Sequence, residues 1–458
     1  MELFKLHVQN LGRIREAELS IRPLTVFMGP NNTNKTWTAY ALYGLAKAMA
    51  WPFSPLRDVD ASGSRHGVSV GGNLSRVREA AVSRVLASRS KAPAGRAIVK
   101  EVRRQDALAG VDFPARLSLH TLALARLIGA VPDDLWKAEV CLLLSEEQFA
   151  RSWTECVLFE LPADLGDDVN VEFRDRDGDR LNGLSFAGSR GEEELGLEQV
   201  VRSSIGFLAL NLVKRVAVFP AERKALVSTF DLLKDEALDL LSAPVGDFVQ
   251  FLRSSQRLAR RDTHEGVLSG TARLLEERIL DGKVQFDPQA NLTYTQLNAP
   301  PLRMQASASL VRALAGLDIY LHQMAEPGDL LVIDEPEMNA HPEAQLMIAE
   351  LLGILVNKGI NIVITTHSPY IVDHINNLSE AGRVPEDRRP ELAERFRLKT
   401  AEAFVPPENV ATYTFGEDGR VTDVFNRDTG IVDWETFGKQ SDYVGNLYGD
   451  ILEALPRK

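Results

Sequence analysis

The fold class follows from a short loop: residues 29–36 read GPNNTNKT, directly after LTVFM at 24–28. The five residues before the loop are a continuous, largely apolar run, which predicts a strand buried on both faces. A helical pattern of apolar residues follows from Trp37 to Ala50. The loop has the frame G-x-x-x-x-G-K-[ST], in which backbone N–H groups and a helix N-terminus surround phosphate groups. A chance glycine-rich turn is the alternative.

One residue of this loop departs from the frame, because Asn34 stands where the second glycine is usual. Asparagine tolerates left-handed backbone better than most other residues that carry a side chain. We therefore expect the loop to close around phosphate groups. Lys35 would reach the β and γ phosphates, and the Thr36 hydroxyl would bind Mg²⁺.

Two further apolar runs end in polar residues that suit phosphate chemistry. Residues 330–336 read LLVIDEP, and there Asp334 can hold the ligand shell of Mg²⁺ while Glu335 accepts a proton from attacking water. The next apolar run, residues 360–364, leads to His367, where a neutral imidazole could position the γ-phosphate and the attacking water. A surface turn after a core strand and a structural histidine are the alternatives.

Two serines, Ser307 and Ser309, stand at the start of a helix that we predict to end near Met324. Exposed hydroxyls and helix N-terminal amides suit a phosphate that belongs to another subunit. A plain N-cap is the alternative interpretation of these serines.

The rest of the chain alternates strand, helix and strand, which predicts an α/β fold with a mainly parallel sheet and its functional loops at the carboxyl ends of the strands. A Pro, Ser and Gly-rich stretch follows residue 50, a helical pattern follows over 74–126, and two runs at 169–173 and 181–186 predict a hairpin around Asp177-Gly178-Asp179. A helix is predicted from about Tyr443. We therefore predict three parts, which are an N-terminal lobe at 1–50, an inserted and mainly helical arm with a hairpin at 51–204, and a C-terminal lobe at 205–458.

Composition excludes wholesale disorder, because the 458 residues are 45% hydrophobic and 25% charged with a net charge of −12. The two cysteines cannot form a disulfide framework, which favours a reducing cytoplasm. The charged, alternating start is not a signal peptide, and no run approaches 18 uncharged apolar residues, so we expect a soluble, cytoplasmic protein without a membrane span. The segment 57–126 carries 13 basic against 6 acidic residues, which could neutralise DNA phosphates or form a solvated face.

Taken in order, GPNNTNKT, SAS at a helix start, LLVIDEPEMNAHPEAQ and ITTHSP resemble the motifs of ATP-binding-cassette (ABC) type ATPases of the SMC, RecF and OLD group. Within this group the chain is similar to compact bacterial AAA family ATPases associated with phage defence. The resemblance covers about residues 1–50 and 205–445, and it includes the strand that ends at Val8 to Gly12. It implies an α/β, SMC-like P-loop ATPase head with a mixed sheet and an inserted arm.

The resemblance also implies roles for single residues. Asp334 would be the Walker B aspartate, Glu335 the catalytic base and His367 the switch histidine, whereas Asn339 to His341 would lie at a dimer interface. Ser307 and Ser309 would fall in the signature motif that contacts the γ-phosphate of the opposite subunit. The residues that would bind the nucleotide are Gly29, Pro30, Asn31, Asn32, Thr33, Asn34, Lys35 and Thr36, and Thr36 would also bind Mg²⁺ together with Asp334.

Two features of the sequence depart from the motifs of this group, and a third stretch has a role that is still open. Leu310 occupies the position of the usual signature glycine, and no glutamine-bearing loop is identifiable. The stretch Pro220-Ala221-Glu222-Arg223 resembles a P-A-E-R stretch after a strand in relatives. Arg223 either lines the site or forms a structural salt bridge.

For the function, the resemblance implies an ATPase that uses ATP and Mg²⁺ and forms a homodimer or higher oligomer. OLD-type relatives carry a C-terminal Toprim nuclease, and the 91 residues after His367 leave too little chain for one. We therefore expect an ATP-gated sensor or scaffold that controls a separately encoded effector, such as a nuclease, in anti-phage defence. A RecF-like or SMC-like ATPase that binds DNA in repair or maintenance is the alternative. The insert is too large for the nucleotide-binding subunit of a transporter.

Overall fold

The computed structural model describes residues 2–50 and 213–432, apart from 239, 261–264, 297–298 and 430, with short stretches between 68 and 187 and residues 443, 446 and 447. The chain divides into two units. The first comprises Met1–Glu2, Asn10–Tyr40 and Ala217–Lys458, and the second comprises Leu3–Gln9 and Ala41–Val216. The domain bounds expected from the sequence stay a prediction.

The described chain contains both strands and helices. In chain order, the strands are β1 Phe4–Leu11, β2 Ile14–Ile21, β3 Leu24–Met28, β4 Val68–Ser69, β5 Ile98–Arg103, β6 Ala115–Leu119, β7 Glu139–Leu144, β8 Cys156–Leu161, β9 Asp168–Arg174, β10 Arg180–Ala187, β11 Val216–Phe219, β12 Gly282–Phe286, β13 Leu292–Gln296, β14 Leu302–Arg303, β15 Leu330–Asp334, β16 Asn361–Thr366, β17 Val410–Phe415, β18 Val421–Asp423, β19 Phe425–Asn426 and β20 Ile431–Val432. The helices are α1 Lys35–Ala50, α2 Thr121–Ile128, α3 Arg223–Thr229, α4 Asp235–Leu238, α5 Ala243–Ala259, α6 Ser269–Leu275, α7 Ser309–Gln323, α8 Pro342–Asn357, α9 Pro369–Gly382 and α10 Arg389–Ala393. A π-helical turn, Glu276–Leu280, continues α6, and short 3-10 turns lie at Met304–Ala306, Glu386–Arg388, Ala401–Ala403 and Pro407–Asn409. In the part of the chain that the structure describes, no helix combines the length and the apolar character that crossing a bilayer demands.

A mixed six-stranded sheet forms the centre of the first unit, in the order β11-β15-β16-β3-β17-β18. Strand β3 pairs in parallel with β16 and β17, β15 pairs in parallel with β16, and β18 runs antiparallel to β17. Every residue of β3 and of β15 is buried, as is typical of parallel strands that are covered on both faces. The sequence-based prediction of a mainly parallel α/β sheet is therefore confirmed.

The strand register brings three loops to one edge of this sheet. Met28 at the end of β3 lies opposite Thr366 at the end of β16, and Thr365 lies opposite Asp334 at the end of β15. Because the three strands are parallel, their carboxyl ends meet at the same edge. The loop at 29–36 and the residues that follow β15 and β16 are therefore neighbours, although they are far apart in sequence.

The second unit contains two antiparallel arrangements, with β1, β7, β6 and β4 in one sheet and β10, β9, β8 and β5 in the other. The predicted hairpin is confirmed, since β9 and β10 pair in antiparallel register. The predicted helix over 74–126 is wrong at β5 and β6, and it is confirmed at α2. The reason at β5 is the β-branched content of the sequence IVKEVR, and at β6 it is the alternation of ARLSL, both of which suit a strand.

Several predicted features lie outside the described residues. They include the linker after residue 50 except for β4, the turn at 177–179, nearly all of the predicted C-terminal helix, and much of the basic segment, with Arg84, Arg89, Lys91, Arg96 and Arg104.

A buried carboxylate, Glu350, ties α8 to two other parts of the first unit. Its Oε1 atom lies 2.8 Å from His374 Nε2 on α9 and accepts a hydrogen bond of 2.9 Å from the Arg397 N–H. Its Oε2 atom accepts a 2.6 Å bond from the Leu398 N–H. The side chain is fully buried, so these donors depend on it for their hydrogen bonds.

We expect Glu350→Ala to lower the free energy of unfolding by about 3 kcal/mol, because it leaves buried N–H groups without an acceptor. The matched control is Glu343→Ala on the same helix, where the carboxylate pairs with Arg397 in an exposed ion pair. That change is expected to cost about 1 kcal/mol or less. Denaturant unfolding measures both, and equal losses in the two variants would contradict the assignment.

Candidate functional site

The loop at residues 29–36 closes with Asn34 in a left-handed conformation, at φ +68°. The Oδ1 atom of Asn34 accepts a 2.8 Å hydrogen bond from the Arg13 N–H, and its carbonyl accepts one of 3.0 Å from the Thr38 N–H in α1. The expectation that asparagine replaces the usual glycine is thus confirmed for the backbone. Asn31 and Asn32 are exposed at the tip of the loop, whereas Thr33 is buried and donates to the Pro30 carbonyl.

We expect Asn34→Gly to lower the free energy of unfolding by about 1 kcal/mol, since only the bond to Arg13 is lost. Asn34→Ala loses the same bond and also places a less tolerant residue at positive φ, so it is expected to cost about 2 kcal/mol. Denaturant unfolding of the two variants tests this order. A glycine variant as unstable as the alanine variant would show that the backbone conformation is not the constraint.

Gly29, the first loop residue, is required by the sheet itself. Its φ is +136°, and a Cβ atom at this position would lie 2.4 Å from the Phe415 carbonyl oxygen of β17. Only glycine fits such an approach of two backbones. The loop therefore leaves β3 directly beside β17.

The Lys35 ammonium folds back onto this loop. It donates to the carbonyls of Gly29 at 2.9 Å and Pro30 at 2.6 Å, and Thr33 Oγ1 lies 3.4 Å away. Burial lowers the pKa of Lys35 to about 8, against the opposing effect of the nearby carboxylates. An ammonium held by loop carbonyls at a helix start is placed to exchange these partners for phosphate oxygens.

Asp334, at the end of β15, accepts hydrogen bonds from three hydroxyl groups. Its Oδ1 atom accepts bonds from Thr36 Oγ1 at 3.0 Å and from Thr365 Oγ1, and its Oδ2 atom accepts from the Tyr40 hydroxyl at 3.2 Å. Hard oxygen donors of this kind fit Mg²⁺, which binds proteins through one or two carboxylates and keeps other positions for water or phosphate. Thr36 and Asp334, predicted from the sequence as metal ligands, are thus brought together. Tyr40 and Thr365 were not predicted.

Glu335 and His367 face each other, with Oε1 and Nε2 3.5 Å apart and about a third of each side chain exposed. Burial raises the pKa of Glu335, and Asp334 and Glu337 raise it further. Burial also lowers the pKa of His367, as does the charge of Lys35, so the neutral imidazole is favoured. Glu335 has a φ of +47°, a backbone conformation that non-glycine residues rarely adopt and that is common at functional sites.

Glu337 is a site residue that sequence reasoning missed. Its Oε1 atom accepts bonds from Thr366 Oγ1 at 2.7 Å and from the His367 N–H at 2.9 Å. Burial raises its pKa. The available signal in the sequence was a further carboxylate in the run DEPE at 334–337. In the structure, the Glu337 carboxylate holds the backbone of His367.

Of the two interpretations of Arg223, the structural salt bridge is wrong, because the side chain is buried and its described bonds go to backbone carbonyls and to no carboxylate. Nε donates to Ala313 at 2.9 Å and Nη1 to Pro220 at 3.0 Å. Nη1 also donates to the carbonyl of Asp334 at 2.5 Å, and Nη2 to that of Glu335 at 2.6 Å. Arg223 is thus no salt-bridge residue; it holds the main chain of the two carboxylates.

The two serines at the start of α7 do not cap that helix. The N-cap residue is Ala308, and Ser307 is buried with its hydroxyl donating to the Met304 carbonyl at 2.7 Å. Ser309 is partly exposed and accepts a 3.4 Å bond from Arg312. The N-cap interpretation is therefore wrong for these serines, and their role towards a second subunit stays a prediction.

The predicted interface loop, Asn339 to His341, precedes α8. Asn339 is exposed at φ +64° and accepts a 3.2 Å bond from Lys224, and His341 caps α8 through Nδ1. Its place at a dimer interface stays a prediction.

Residues 307–372 match the family described as the AAA ATPase domain. The match runs from Ser307 into α9 and includes Asp334, Glu335 and His367. No protein of curated function matches the chain. By its mixed sheet and the loop that follows β3, the chain has the α/β fold of P-loop ATPases.

Solved structures of SMC heads are similar to the chain at low identity. The SmcHead bound to the C-winged helix domain of ScpA has 9% identity and a TM-score of 0.33, covering 92% of this chain and 96% of that one. The SMC head domain from Thermotoga maritima has 11% identity and a TM-score of 0.31, covering 82% and 92%. The Smc head with an extended coiled coil, bound to the C-terminal domain of ScpA derived from Pyrococcus furiosus, has 9% identity and a TM-score of 0.34, covering 98% and 100%.

Proposed function

We propose that this chain binds ATP with Mg²⁺ and hydrolyses it to ADP and phosphate. The observation that carries the proposal is the 3.0 Å contact between the Thr36 hydroxyl and the Asp334 carboxylate. Lys35 directly precedes Thr36 in the sequence, and Glu335 directly follows Asp334. A hydroxyl, a carboxylate, an ammonium and a second carboxylate at one sheet edge are the groups that phosphoryl transfer requires.

In this proposal each side chain has a distinct task. Lys35 neutralises charge on the β and γ phosphates, and Glu335 accepts the proton of the attacking water. The neutral imidazole of His367 orients that water and the γ-phosphate. Thr36 and Asp334 hold Mg²⁺, which when bound supplies further charge neutralisation at the phosphate oxygens.

Two residues act as positioning groups in this proposal. Arg223 fixes the carbonyls of Asp334 and Glu335, and Glu337 fixes the backbone of His367. These hydrogen bonds hold the main chain of the carboxylates that would contact water and the metal ion. Preorganised catalysis requires groups that are fixed in this way before the reaction.

Phosphate release by the wild-type chain and by Lys35→Ala tests the proposal. We expect Mg²⁺-dependent release from the wild type and a loss of at least about 100-fold in Lys35→Ala, because a preorganised cation is removed. Lys47→Ala, which removes a lysine from the same helix, is the matched control and should turn over ATP normally. Equal rates in wild type and Lys35→Ala would contradict the proposal.

We further propose that ATP joins two copies of the chain and that the assembly controls a separately encoded effector in anti-phage defence. The motif order from GPNNTNKT to ITTHSP supports it, together with the serines Ser307 and Ser309 at the start of α7. To test this proposal, the Glu335→Gln protein is expressed together with its neighbouring genes, and its native mass is measured with and without ATP. A doubled mass with an added protein is expected. A bare dimer that carries DNA would favour the repair or maintenance alternative.

A further inference from the structure

Asp318 on α7 is a buried carboxylate with unsatisfied oxygens. The residue is fully buried, and neither Oδ1 nor Oδ2 has a hydrogen-bond partner among the described residues. A buried, unpartnered polar group is costly, and an ionised carboxylate is more costly still. Such a group in a native structure calls for an explanation, and a bound ion is one of the explanations that apply.

Two potential ligands stand beside this carboxylate. His322 lies one turn further along α7, and its Nε2 atom is 4.0 Å from Asp318 Oδ1 and 3.3 Å from Glu276 Oε1. One ligand atom from each of the three residues lies within 4.8 Å of the other two. Glu276 is itself buried, so the site contains two buried carboxylates.

The backbone at Glu276 is unusual as well. This residue begins the π-helical turn that continues α6 to Leu280. π-Helical turns are rare and are concentrated at functional sites, because the wider turn redirects a side chain. Here the turn carries Glu276 to within reach of His322 on the neighbouring helix.

The closeness of the two carboxylates gives a second reason to expect a cation. Asp318 and Glu276 are both buried, and one oxygen of each lies within 4.8 Å of the other. Buried charges in proteins are paired or bind metal ions. A divalent ion that binds one oxygen of each carboxylate would compensate both negative charges.

We propose that Glu276, Asp318 and His322 bind one divalent transition-metal ion, with Zn²⁺ as the reference ion. A mixed set of imidazole nitrogen and carboxylate oxygens suits Zn²⁺, whereas Mg²⁺ and Ca²⁺ prefer oxygen alone. Ligands at about 2.0 to 2.2 Å from a tetrahedral ion lie about 3.3 Å from each other. The distance from Glu276 Oε1 to His322 Nε2 already has this value, and the distance from Asp318 Oδ1 to His322 Nε2 exceeds it by less than an ångström.

A cavity gives the ion a route to these residues. Its volume is about 540 Å³, and Glu276 and His322 form part of its wall together with Glu265 and Arg273. About a quarter of the His322 side chain is exposed. Three protein ligands leave a fourth position for water or for a small ligand that enters through the cavity. The site is separate from the residues proposed to bind ATP and does not depend on that proposal.

Zinc uptake by the full-length chain, stripped with a chelator and held without nucleotide, tests the proposal. We compare the wild type with Asp318→Asn and His322→Gln by elemental analysis and by competition with a chromophoric chelator. We expect both variants to bind about one equivalent less Zn²⁺ than the wild type, or to bind that equivalent at least tenfold more weakly. We also expect Zn²⁺ to raise the unfolding temperature of the wild type and not of the two variants.

The matched control is Glu265→Gln, which changes an exposed carboxylate of the same cavity and should bind Zn²⁺ like the wild type. His322→Gln keeps the test valid where Asp318→Asn does not fold, because His322 is partly exposed. Zinc uptake that is the same in the wild type and in the ligand variants overturns the proposal. The proposal is also overturned if Asp318→Asn is more stable than the wild type and Zn²⁺ does not change the unfolding temperature of the wild type. Asp318 is then only a protonated buried acid.

Discussion

Replacing Glu335 by glutamine is expected to leave ATP bound and to lower the rate of its hydrolysis by at least about 100-fold. General-base catalysis contributes about 10² to 10⁴-fold, and an amide cannot accept the proton of the attacking water. The substitution keeps the size of the side chain, and the contacts of the Glu335 backbone with Thr365 and Arg223 do not involve the carboxylate. Binding and turnover should therefore separate in this variant.

Two measurements check this result, namely nucleotide affinity at equilibrium and phosphate release in a single turnover. Glu343→Gln on α8 is the control, because its carboxylate is exposed and pairs with Arg397 away from the site. A Glu335→Gln protein that hydrolyses ATP at the wild-type rate would show that another group is the base. Loss of ATP binding in the same variant would show that Glu335 contributes to the binding site rather than to the chemical step.

Arg223→Lys is expected to lower the free energy of unfolding by about 3 kcal/mol or more and to reduce hydrolysis with it. The guanidinium donates to four carbonyls in directions that a lysine ammonium cannot reproduce. The carbonyls of Asp334 and Glu335 would lose a buried charged donor, and a buried ammonium would be left with fewer partners.

Denaturant unfolding and phosphate release, measured on the same preparations, test this prediction. Lys224→Met, at the next position and partly exposed, serves as the control and should change stability by about 1 kcal/mol or less. An Arg223→Lys protein within that margin of the wild type would contradict the assignment of Arg223 as the residue that holds the two carboxylates.

Local patterns predicted the central sheet and the residues of the proposed ATP site. The loop, the run LLVIDEP and the strand before His367 each carry their signal within a few neighbouring residues, and parallel pairing then places them at one edge. The left-handed backbone of Asn34 was also predictable, because few residue types tolerate it.

Long-range contacts of residues that no motif marks were beyond prediction from a single sequence. Arg223 bonds to carbonyls 111 and 112 residues away, and any residue type presents a carbonyl there, so the sequence holds no trace of the pairing. Asp318 and Glu276 meet only because α7 packs beside the π-helical turn. Strand β5 was mistaken for helix because its apolar and charged residues fit either period over so short a run.

The structure of the Glu335→Gln protein with ATP and Mg²⁺ tests the central claim most directly. We predict that the γ-phosphate lies beside the Lys35 ammonium and that the metal ion binds the Thr36 hydroxyl, with Asp334 in its immediate surroundings. Nucleotide bound elsewhere on the chain, or a loop at residues 29–36 that stays empty at saturating ATP, would contradict the account.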